Sequence, residues 1–556
     1  MKRLALLPLV VLVFMGQPFD AAQGRRGAPP RDFQNQPQPT GTAVIRGRIV
    51  AADTSTPIRR AQVRATTAGG GRGARLVTTD SEGRFELRDL PAGRWELSAA
   101  KAGFVTLRYG QRRPFEAGRP LELATGQKLE GVDIALPRGA AITGRVFDEF
   151  GDPVAGARVQ VLRYQLVQGE RQLMPTANTA ISDDTGAFRV YGLMPGDYYV
   201  SALLRALDDP NDDATYAPTY FPGTGAVADA QRITIGLGQE QGNINFGLLP
   251  VRAIRITGTA TDSSGAPLAG GVVALLPSDG VVRVPGLGGG GNRVGADGRF
   301  TIANVPPGNY PLMATARPAR GEDVEIASMP LFAGGEDLSG IALIASRGTT
   351  LSGRVVTPAG GGATLPESVQ VAVQQVRPGR GLPSRPARLA ADGTFALSNL
   401  FGQGLVRVGG LPQDWTLQSV VVGGVDVTDT AIEFRADEEI RGAQITVTNR
   451  VTDVSGTVSG RDGTPVRDYT VVIFPEDETK WTAPSRFVRS ARPDQQGLFR
   501  IRALPPNGRY LAVAVDYLEE GEANDPEFLA AAKNSGTRVA LADGEAKAVE
   551  LKLLQR

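Results

Sequence analysis

The chain contains no histidine and no cysteine in 556 residues. Without histidine, a serine or cysteine nucleophile has no imidazole base, and zinc sites that need imidazole ligands cannot form. Without cysteine, thiolate chemistry, iron–sulfur ligation, disulfides and lipid attachment to a cysteine are excluded. The stability of the protein must therefore come from buried hydrophobic cores.

Lysine and helical periodicity are also scarce. No lysine lies between Lys128 and Lys480, which excludes Lys–Asn isopeptide bonds from the middle of the chain. The net charge is only +2, and the arginine-rich loop at 377–388 has no interleaved aromatics, so nucleic-acid binding is disfavoured. One short helix is predicted at 525–533, with Asp525 as N-cap, Pro526 at the first position and Gly536 beyond its end. With 70 glycines and 39 prolines, these features indicate an all-β protein.

A two-strand motif recurs along the chain. It is clearest at 184–200, and further copies lie at 80–97, 297–312, 494–513 and, in degenerate form, 392–408. Each copy contains one phenylalanine in the same place: Phe85, Phe188, Phe300, Phe395 and Phe499. Intervals of 95 to 112 residues between these phenylalanines indicate five tandem domains rather than the short units of a solenoid.

The residue types in the motif predict its local structure. Asp and Gly open each copy and favour a tight turn, because the aspartate bonds nearby backbone and glycine accepts a positive φ. Alternating residues then indicate a strand with one buried face, and a Pro-Gly corner interrupts it. The second strand carries an aromatic at a fixed place: Trp95, Tyr198, Tyr310 and Tyr510, with Leu405 in the degenerate copy. This constancy predicts core anchors rather than a ligand platform.

Every domain opens with a Gly-x-Val type strand, whose glycine is Gly47, Gly144, Gly258, Gly353 or Gly456. Every domain closes with another alternating strand, and the next one starts a few residues later. The predicted boundaries of the five antiparallel β-sandwiches are 43–138, 139–252, 253–348, 349–450 (divergent) and 451–556. Because the joints are short, we expect a semi-stiff rod.

The motif pattern carries a family resemblance. Domain 2 shows it best, with Gly144, Val146, Asp148, Gly151 and Pro153 before the turn and the Pro-Gly-x-Tyr corner after the aromatic strand. It resembles the carboxypeptidase regulatory-like domain, as found in secreted bacterial repeat proteins. The resemblance implies a transthyretin-like sandwich, often grouped with carbohydrate-binding-like and Ig-like folds, for nearly everything after residue 43. It contributes no catalytic residues, and a zinc carboxypeptidase site has no histidine from which to be built.

The N-terminus is typical of a secretory signal. Residues 1–24 combine Lys2 and Arg3, an apolar run at 4–15 and a small-residue cleavage site at 22–24; an uncleaved anchor is the alternative. The run is too short to span a bilayer comfortably. Residues 25–42 are rich in Pro, Gln and Arg and are predicted to be a disordered spacer. We therefore expect an exported protein, at the cell surface, outside the cell or in the periplasm, without a transmembrane span in the mature chain.

Paired carboxylates leave one route to hydrolysis, because two of them suffice for glycoside cleavage. The candidates are Glu438, Glu439, Glu519, Glu520, Glu522 and the cluster Asp208, Asp209, Asp212 and Asp213. All lie in turn-like sequence, where carboxylates are normally solvated, so we expect no enzyme, no catalytic residue and no cofactor. The 208–213 cluster lacks the spacing of a defined calcium loop, which favours a solvated loop over a metal site. The glycine-rich stretch at 286–292 precedes no predicted helix and is not a phosphate cradle.

The candidate ligand-binding residues are aromatic. Tyr216, Tyr220 and Phe221 lie on a long loop of domain 2 and could stack on sugar rings. The favoured alternative is that they fold onto their own sandwich as a satellite core. Trp415 is expected to be packed, whereas Trp481 follows an acidic loop and is expected to be exposed.

The sequence thus predicts an exported, non-catalytic interaction or structural module of the cell envelope. Its partner would be a protein, bound through loops and strand edges, or a glycan. The alternative function is carbohydrate binding through the aromatic loop of domain 2. A glycosidase is kept only for contrast, since it needs two facing carboxyl groups about 5–10 Å apart.

Overall fold

The computed structural model describes residues 40–67, 74–167, 169–204, 214–275, 292–315, 324–358, 364–376 and 385–555. The predicted signal (1–24), nearly all of the predicted spacer, the 208–213 cluster and nearly all of the 286–292 stretch lie outside these residues. We name domains 1 to 5 by the predicted boundaries. The regular structure of the described chain is mostly β-strand with one short α-helix, which confirms the predicted fold class. Within these ranges, no helix combines the length and apolarity that a membrane crossing requires.

Domain 1 is a sandwich of two sheets. Its strands are β1 (Ala43–Ala51), β2 (Gln62–Thr67), β3 (Arg75–Thr78), β4 (Arg84–Leu90), β5 (Gly93–Ala100), β6 (Leu107–Arg108), β7 (Leu121–Leu123), β8 (Lys128–Leu129) and β9 (Ile134–Leu136). One sheet has the order β4-β1-β8, with β9 also on β1, and the other has the order β3-β2-β5-β6, with β7 also on β5. Trp95 lies fully buried in the core between the sheets.

Domain 2 repeats this plan with longer strands. They are β10 (Ala140–Phe147), β11 (Arg158–Val167), β12 (Glu170–Ile181), β13 (Ala187–Leu193), β14 (Gly196–Leu203), β15 (Ala214–Tyr216), β16 (Thr219–Tyr220), β17 (Ile233–Ile235), β18 (Glu240–Gln241), β19 (Phe246–Gly247) and β20 (Pro250–Arg252). The sheets are β13-β10-β18 with β19 on β10, β12-β11-β14-β16 with β17 on β14, and a β15-β20 pair. Phe188 and Tyr198 are buried in the core between the two larger sheets.

Domains 3 and 4 have the same two-sheet arrangement. The strands of domain 3 are β21 (Ile254–Thr261), β22 (Val272–Leu275), β23 (Asn292–Arg293), β24 (Arg299–Val305), β25 (Gly308–Thr315), β26 (Glu325–Ala333), β27 (Leu338–Ile344) and β28 (Ser346–Arg347). Those of domain 4 are β29 (Thr349–Val356), β30 (Gln370–Gln375), β31 (Ala387–Arg388), β32 (Thr394–Leu400), β33 (Gly402–Gly409), β34 (Thr416–Val422), β35 (Val425–Asp426), β36 (Ile432–Phe434) and β37 (Glu439–Thr448). The sheet orders are β24-β21-β27 and β23-β22-β25-β26-β28, then β32-β29-β37-β34-β35 and β31-β30-β33-β36.

Domain 5 differs because its last strand joins both layers. The elements are β38 (Asp453–Ser459), β39 (Pro465–Val466), β40 (Thr470–Pro475), β41 (Arg489–Ala491), β42 (Phe499–Arg502), β43 (Arg509–Val515), α1 (Pro526–Ala532), β44 (Thr537–Ala540) and β45 (Ala546–Leu554). The sheet order is β39-β38-β45-β43-β40-β41, with β42 on β38 and β44 on β43. The predicted helix is confirmed as α1, whose N-cap carboxylate, Asp525, accepts a 3.0 Å hydrogen bond from the Glu527 N–H.

The repeated glycine and the repeated phenylalanine are cross-strand partners in every domain. The pairs are Gly47–Phe85, Gly144–Phe188, Gly258–Phe300, Gly353–Phe395 and Gly456–Phe499. The opening strand also pairs in parallel with a closing strand of the same domain, a feature that the sequence pattern did not predict. A Cβ on any of these glycines would lie only 1.7 to 2.1 Å from a backbone carbonyl oxygen. That oxygen belongs either to the closing strand or to the residues just before it. Glycine is therefore required by the close approach of the two backbones, and the phenylalanine fills the space opposite it.

The repeated aromatic after the Pro-Gly corner is a core anchor with a polar contact. Each such ring is buried and donates a hydrogen bond to a carbonyl four or five residues upstream: Trp95 to Pro91 at 3.1 Å, Tyr198 to Met194 at 2.8 Å, Tyr310 to Pro306 at 3.0 Å and Tyr510 to Pro505 at 2.7 Å. Burial raises the pKa of Tyr198 to about 12, so its hydroxyl stays protonated and donating. In domain 4 the equivalent Leu405 is buried but has no such donor. The aromatics thus tie the corner to the core rather than face a ligand.

Candidate functional site

The three aromatics of the domain 2 loop pack against their own domain. Tyr220 is buried with Leu162 and Leu173 in a small cluster on the outer face of the β12-β11-β14-β16 sheet. Phe221 is half-buried against the main core, with its ring edge-on to Phe246 at 6.0 Å between centroids. The half-buried Tyr216 donates its hydroxyl to Glu149 at 2.5 Å. Within the described part of the loop, from residue 214 onward, these three rings pack against domain 2 instead of forming an open row.

Trp481 is buried, so the expectation that it is exposed is wrong. Its indole N–H donates to the Pro475 carbonyl at 2.9 Å, and its ring lies edge-on to Phe474 at 5.8 Å. The reason is α1, which packs Phe528 and Leu529 into the same cluster. Trp415, by contrast, is half-buried against the domain 4 core, as expected.

The acidic residues near 520 are engaged in hydrogen bonds, two of them to other domains. Glu519 receives a 2.8 Å hydrogen bond from Arg163 of domain 2, and Glu520 receives 3.0 Å bonds from Arg108 of domain 1. Glu522 instead accepts the backbone N–H of Glu519 at 2.9 Å. Glu519 and Glu520 therefore connect domain 5 to domains 2 and 1, whereas the bond of Glu522 stays within domain 5. Among the described residues, no set of three or more metal-ligating side chains is grouped to hold a metal ion.

A buried ion pair lies at the centre of the contact between domains 1 and 5. Arg492 of domain 5 is 2.9 Å from the carboxylate of Glu116 in domain 1, and both side chains are 2% exposed. The same guanidinium donates to the carbonyls of Gly110 at 3.3 Å and Ala117 at 2.8 Å, and pairs with Asp468. Burial lowers the pKa of Arg492, while Glu116 and Asp468 oppose that shift. Arg492 thus connects its own domain to three points of the domain 1 loop.

Polar contacts surround the buried pair along the loop between β6 and β7. Arg113 donates to Asp516 at 3.2 Å, and the Tyr517 hydroxyl donates to the Pro114 carbonyl at 2.9 Å. Arg119 donates to the Asp494 carbonyl at 2.6 Å. Backbone atoms take part as well, since the Glu520 N–H donates to the Phe115 carbonyl at 2.9 Å. We call residues 108–122 of domain 1 together with 468, 492–495 and 516–522 of domain 5 the clasp.

Domain 2 meets the clasp through Phe115 and Arg163. Phe115 packs against the domain 2 core although it belongs to domain 1. The Arg163 guanidinium stacks on the Phe115 ring, 3.2 Å from its centroid, and its side chain is 11% exposed. Gly521 approaches domain 2 so closely that a Cβ would lie 2.2 Å from the Leu166 carbonyl oxygen. One aromatic and one arginine therefore join three domains.

Domain 5 consequently contacts domains 1, 2 and 4. On its other side, Arg486 forms two hydrogen bonds with Asp429 of domain 4, at 2.7 and 2.9 Å. The first and last domains of a rod would not touch, so the predicted semi-stiff rod is wrong. The short joints between domains let the chain fold back on itself. Opposite charges on the domain 1 loop between β6 and β7 and on residues 516–522 of domain 5 then hold the two domains together.

Sequence reasoning missed the clasp although both halves were visible. Four arginines lie between residues 108 and 119 with Glu116 as the only acid among them, and four acids lie between 516 and 522. The two groups of charges lie about 400 positions apart in the sequence, and no local pattern links them. Their contact is therefore visible only in the folded chain.

Because Tyr220 is buried, truncating its side chain should destabilise domain 2. Tyr220→Ala should lower the stability of domain 2 by about 3 kcal/mol, because it removes the largest side chain of the small cluster with Leu162 and Leu173. Thermal melts followed beside glycan binding measure it. An unchanged melting temperature with lost binding would instead place the ring at a ligand.

Comparison with protein families finds a match in two stretches of the chain. A family model described as carboxypeptidase regulatory-like domain matches residues 44–137 and 141–209, which correspond to domain 1 and most of domain 2. These two stretches are therefore similar to the carboxypeptidase regulatory-like domain. No curated protein matched the sequence.

Solved structures give weaker likenesses. The Bacillus anthracis TIE protein is 12% identical over 74% of this chain and 72% of its own, with a TM-score of 0.16. The streptococcal ancillary pilin is 12% identical over 55% and 98%, with a TM-score of 0.21, and the major pilin subunit of Bacillus cereus is 11% identical over 55% and 99%, with a TM-score of 0.14. These TM-scores are too low to bear on arrangement or function.

Proposed function

We propose that this chain, two stretches of which match the carboxypeptidase regulatory-like domain, is an exported, non-catalytic structural and interaction module of the cell envelope. The observation that carries this proposal is the clasp. Glu116, Glu519 and Glu520 pair with Arg492, Arg163 and Arg108 of other domains, and this use of carboxylates as contacts between domains supports a structural role. The signal-like N-terminus and the absence of histidine and cysteine support the same function.

The module would hold its binding surfaces in fixed positions. A chain closed by the clasp keeps domains 1, 2 and 5 in one arrangement, and rigid scaffolds commonly present binding residues on loops. Phe150, at the tip of the turn after β10, is 83% exposed, the largest exposure among the big apolar side chains of the described chain. An aromatic in that position contributes nothing to the core and is suited to contact a partner protein.

Photo-crosslinking at Phe150 tests this function. A photoreactive phenylalanine analogue at position 150 should give a discrete adduct with an envelope protein in cells that export the chain. The matched control is Ser264, which precedes the corresponding glycine of the domain 3 turn and should give none. Equal adducts at both positions, no adduct at all, or a hydrolase activity lost on a point substitution would contradict the proposal.

A further inference from the structure

A cleft lies between domains 1 and 2, away from the aromatic loop. Its volume is about 420 Å³, within the usual range of small-ligand sites of ~300–1,000 Å³. Domain 1 contributes Arg60, Lys101 and Phe104, and domain 2 contributes Asn178, Tyr191 and Gly192. Clefts at domain boundaries are common binding sites because two rigid walls form them.

The joint between the two domains fixes the walls of the cleft. The Gly139 N–H donates to the Gly103 carbonyl at 3.1 Å, and the Val105 N–H donates to the Pro137 carbonyl at 2.9 Å. On the domain 2 side, the Asn178 amide donates to the Tyr191 carbonyl at 2.6 Å. The cleft is therefore formed before any ligand arrives, which lowers the cost of binding.

The lining is cationic. It contains Arg60 and Lys101 but no aspartate or glutamate. Among the described residues, neither cation forms an ion pair; Lys101 reaches only the Arg60 carbonyl, at 3.4 Å. By contrast, the two arginines that lie over aromatic rings of the cleft already have acidic partners. Arg138, over Phe104, pairs with Asp53 at 2.9 Å. Arg189, over Tyr191, pairs with Glu240 at 3.1 Å. Arg60 and Lys101 thus remain available for an anion.

The remaining groups suit a sugar ring. Tyr191 is 45% exposed and lies at the cleft, where its ring can pack on an apolar sugar face. The side chains of Gln62, Thr106 and Asn178 supply hydrogen-bonding groups for hydroxyls. A simple anion would use the cations but not the ring, whereas a neutral sugar would leave both cations without a partner.

We propose that this cleft binds a carboxylated saccharide, with Arg60 and Lys101 engaging the carboxylate and Tyr191 packing on the ring. The site is independent of the partner contact at Phe150. It also differs from the aromatic loop that the sequence singled out.

Calorimetric titration of the full chain with an oligogalacturonide tests the site. Lys101→Gln and Arg60→Asn should each weaken binding about tenfold, the expected scale for one charge-assisted hydrogen bond. Asparagine is chosen because Arg60 has φ +53°, which asparagine tolerates better than most residues. Tyr191→Ala should weaken binding as well, and added salt should reduce it.

The controls separate charge, sugar and stability. Lys128→Gln removes an exposed cation elsewhere on domain 1 and should leave binding unchanged. The methyl-esterified oligogalacturonide keeps the rings without the charge and should bind at least tenfold more weakly, and citrate should not compete at equal concentration. Equal affinity for the ester, equal competition by citrate, equal loss in Lys128→Gln, or no binding by the folded wild-type chain would each overturn the proposal.

Discussion

Replacing Arg492 with methionine is expected to detach domain 5 from domain 1. The substitution leaves Glu116 buried without its cation, which costs about 3–5 kcal/mol when the partner of a buried ion pair is removed. The exposed pairs around it, such as Arg108–Glu520 and Arg113–Asp516, contribute at most about 1 kcal/mol each. Opening the clasp would hydrate Glu116 and remove this cost, so the substitution should shift the population from the closed towards the open arrangement.

Small-angle scattering measures this opening as an increase in the radius of gyration. Adding Glu116→Gln to Arg492→Met removes the uncompensated charge and should restore part of the closed population. Arg108→Ala, which removes only an exposed pair, should leave the scattering unchanged. An Arg492→Met chain that scatters like the wild type would show that the clasp does not depend on its buried pair.

Truncating Tyr198 to alanine is expected to destabilise domain 2 by about 3–5 kcal/mol. The ring is 1% exposed and also ties the corner through its bond to Met194. Phe188→Ala should have a similar effect, because Phe188 fills the space opposite Gly144. Hydrogen exchange on the full chain should show faster opening of domain 2 amides, with domain 4 unchanged.

Tyr198→Phe separates the two contributions of this residue. It keeps the ring and removes only the hydroxyl bond, so it should cost about 1 kcal/mol. A loss below 1 kcal/mol for Tyr198→Ala, or equal effects of alanine and phenylalanine, would contradict the assignment of the ring as a core anchor.

The sequence predicts most of what is local. The spacing of Phe188 and Tyr198 predicts strands and their buried faces, because alternation and fixed register are consequences of the pleat. Asp525 and Pro526 predict α1 because capping is a short-range interaction. The repeated glycines mark the opening strands in the sequence. Only the structure shows why glycine is needed there, namely the close approach of a parallel strand.

Long-range contacts could not be predicted in this way. Trp481 follows a polar loop, and its burial depends on a helix about 45 positions later in the chain. The pairing of Arg492 with Glu116 depends on how four joints orient five domains, which no single motif encodes. Tyr220 was ambiguous for the same reason, since an aromatic on a loop can face either solvent or the sheet beneath it.

The central claim, that the chain closes through domains 1 and 5, is tested most directly by intramolecular cross-linking. The cysteine-free chain allows Arg108→Cys and Glu520→Cys to be introduced as the only thiols, at side chains that lie 3.0 Å apart in the clasp. The control pairs Arg108→Cys with Asp297→Cys in domain 3. A short bismaleimide at low protein concentration should cross-link the first pair within one chain and leave the control unlinked. Absence of the Arg108–Glu520 link, or equal linking of both pairs, would contradict the closed arrangement.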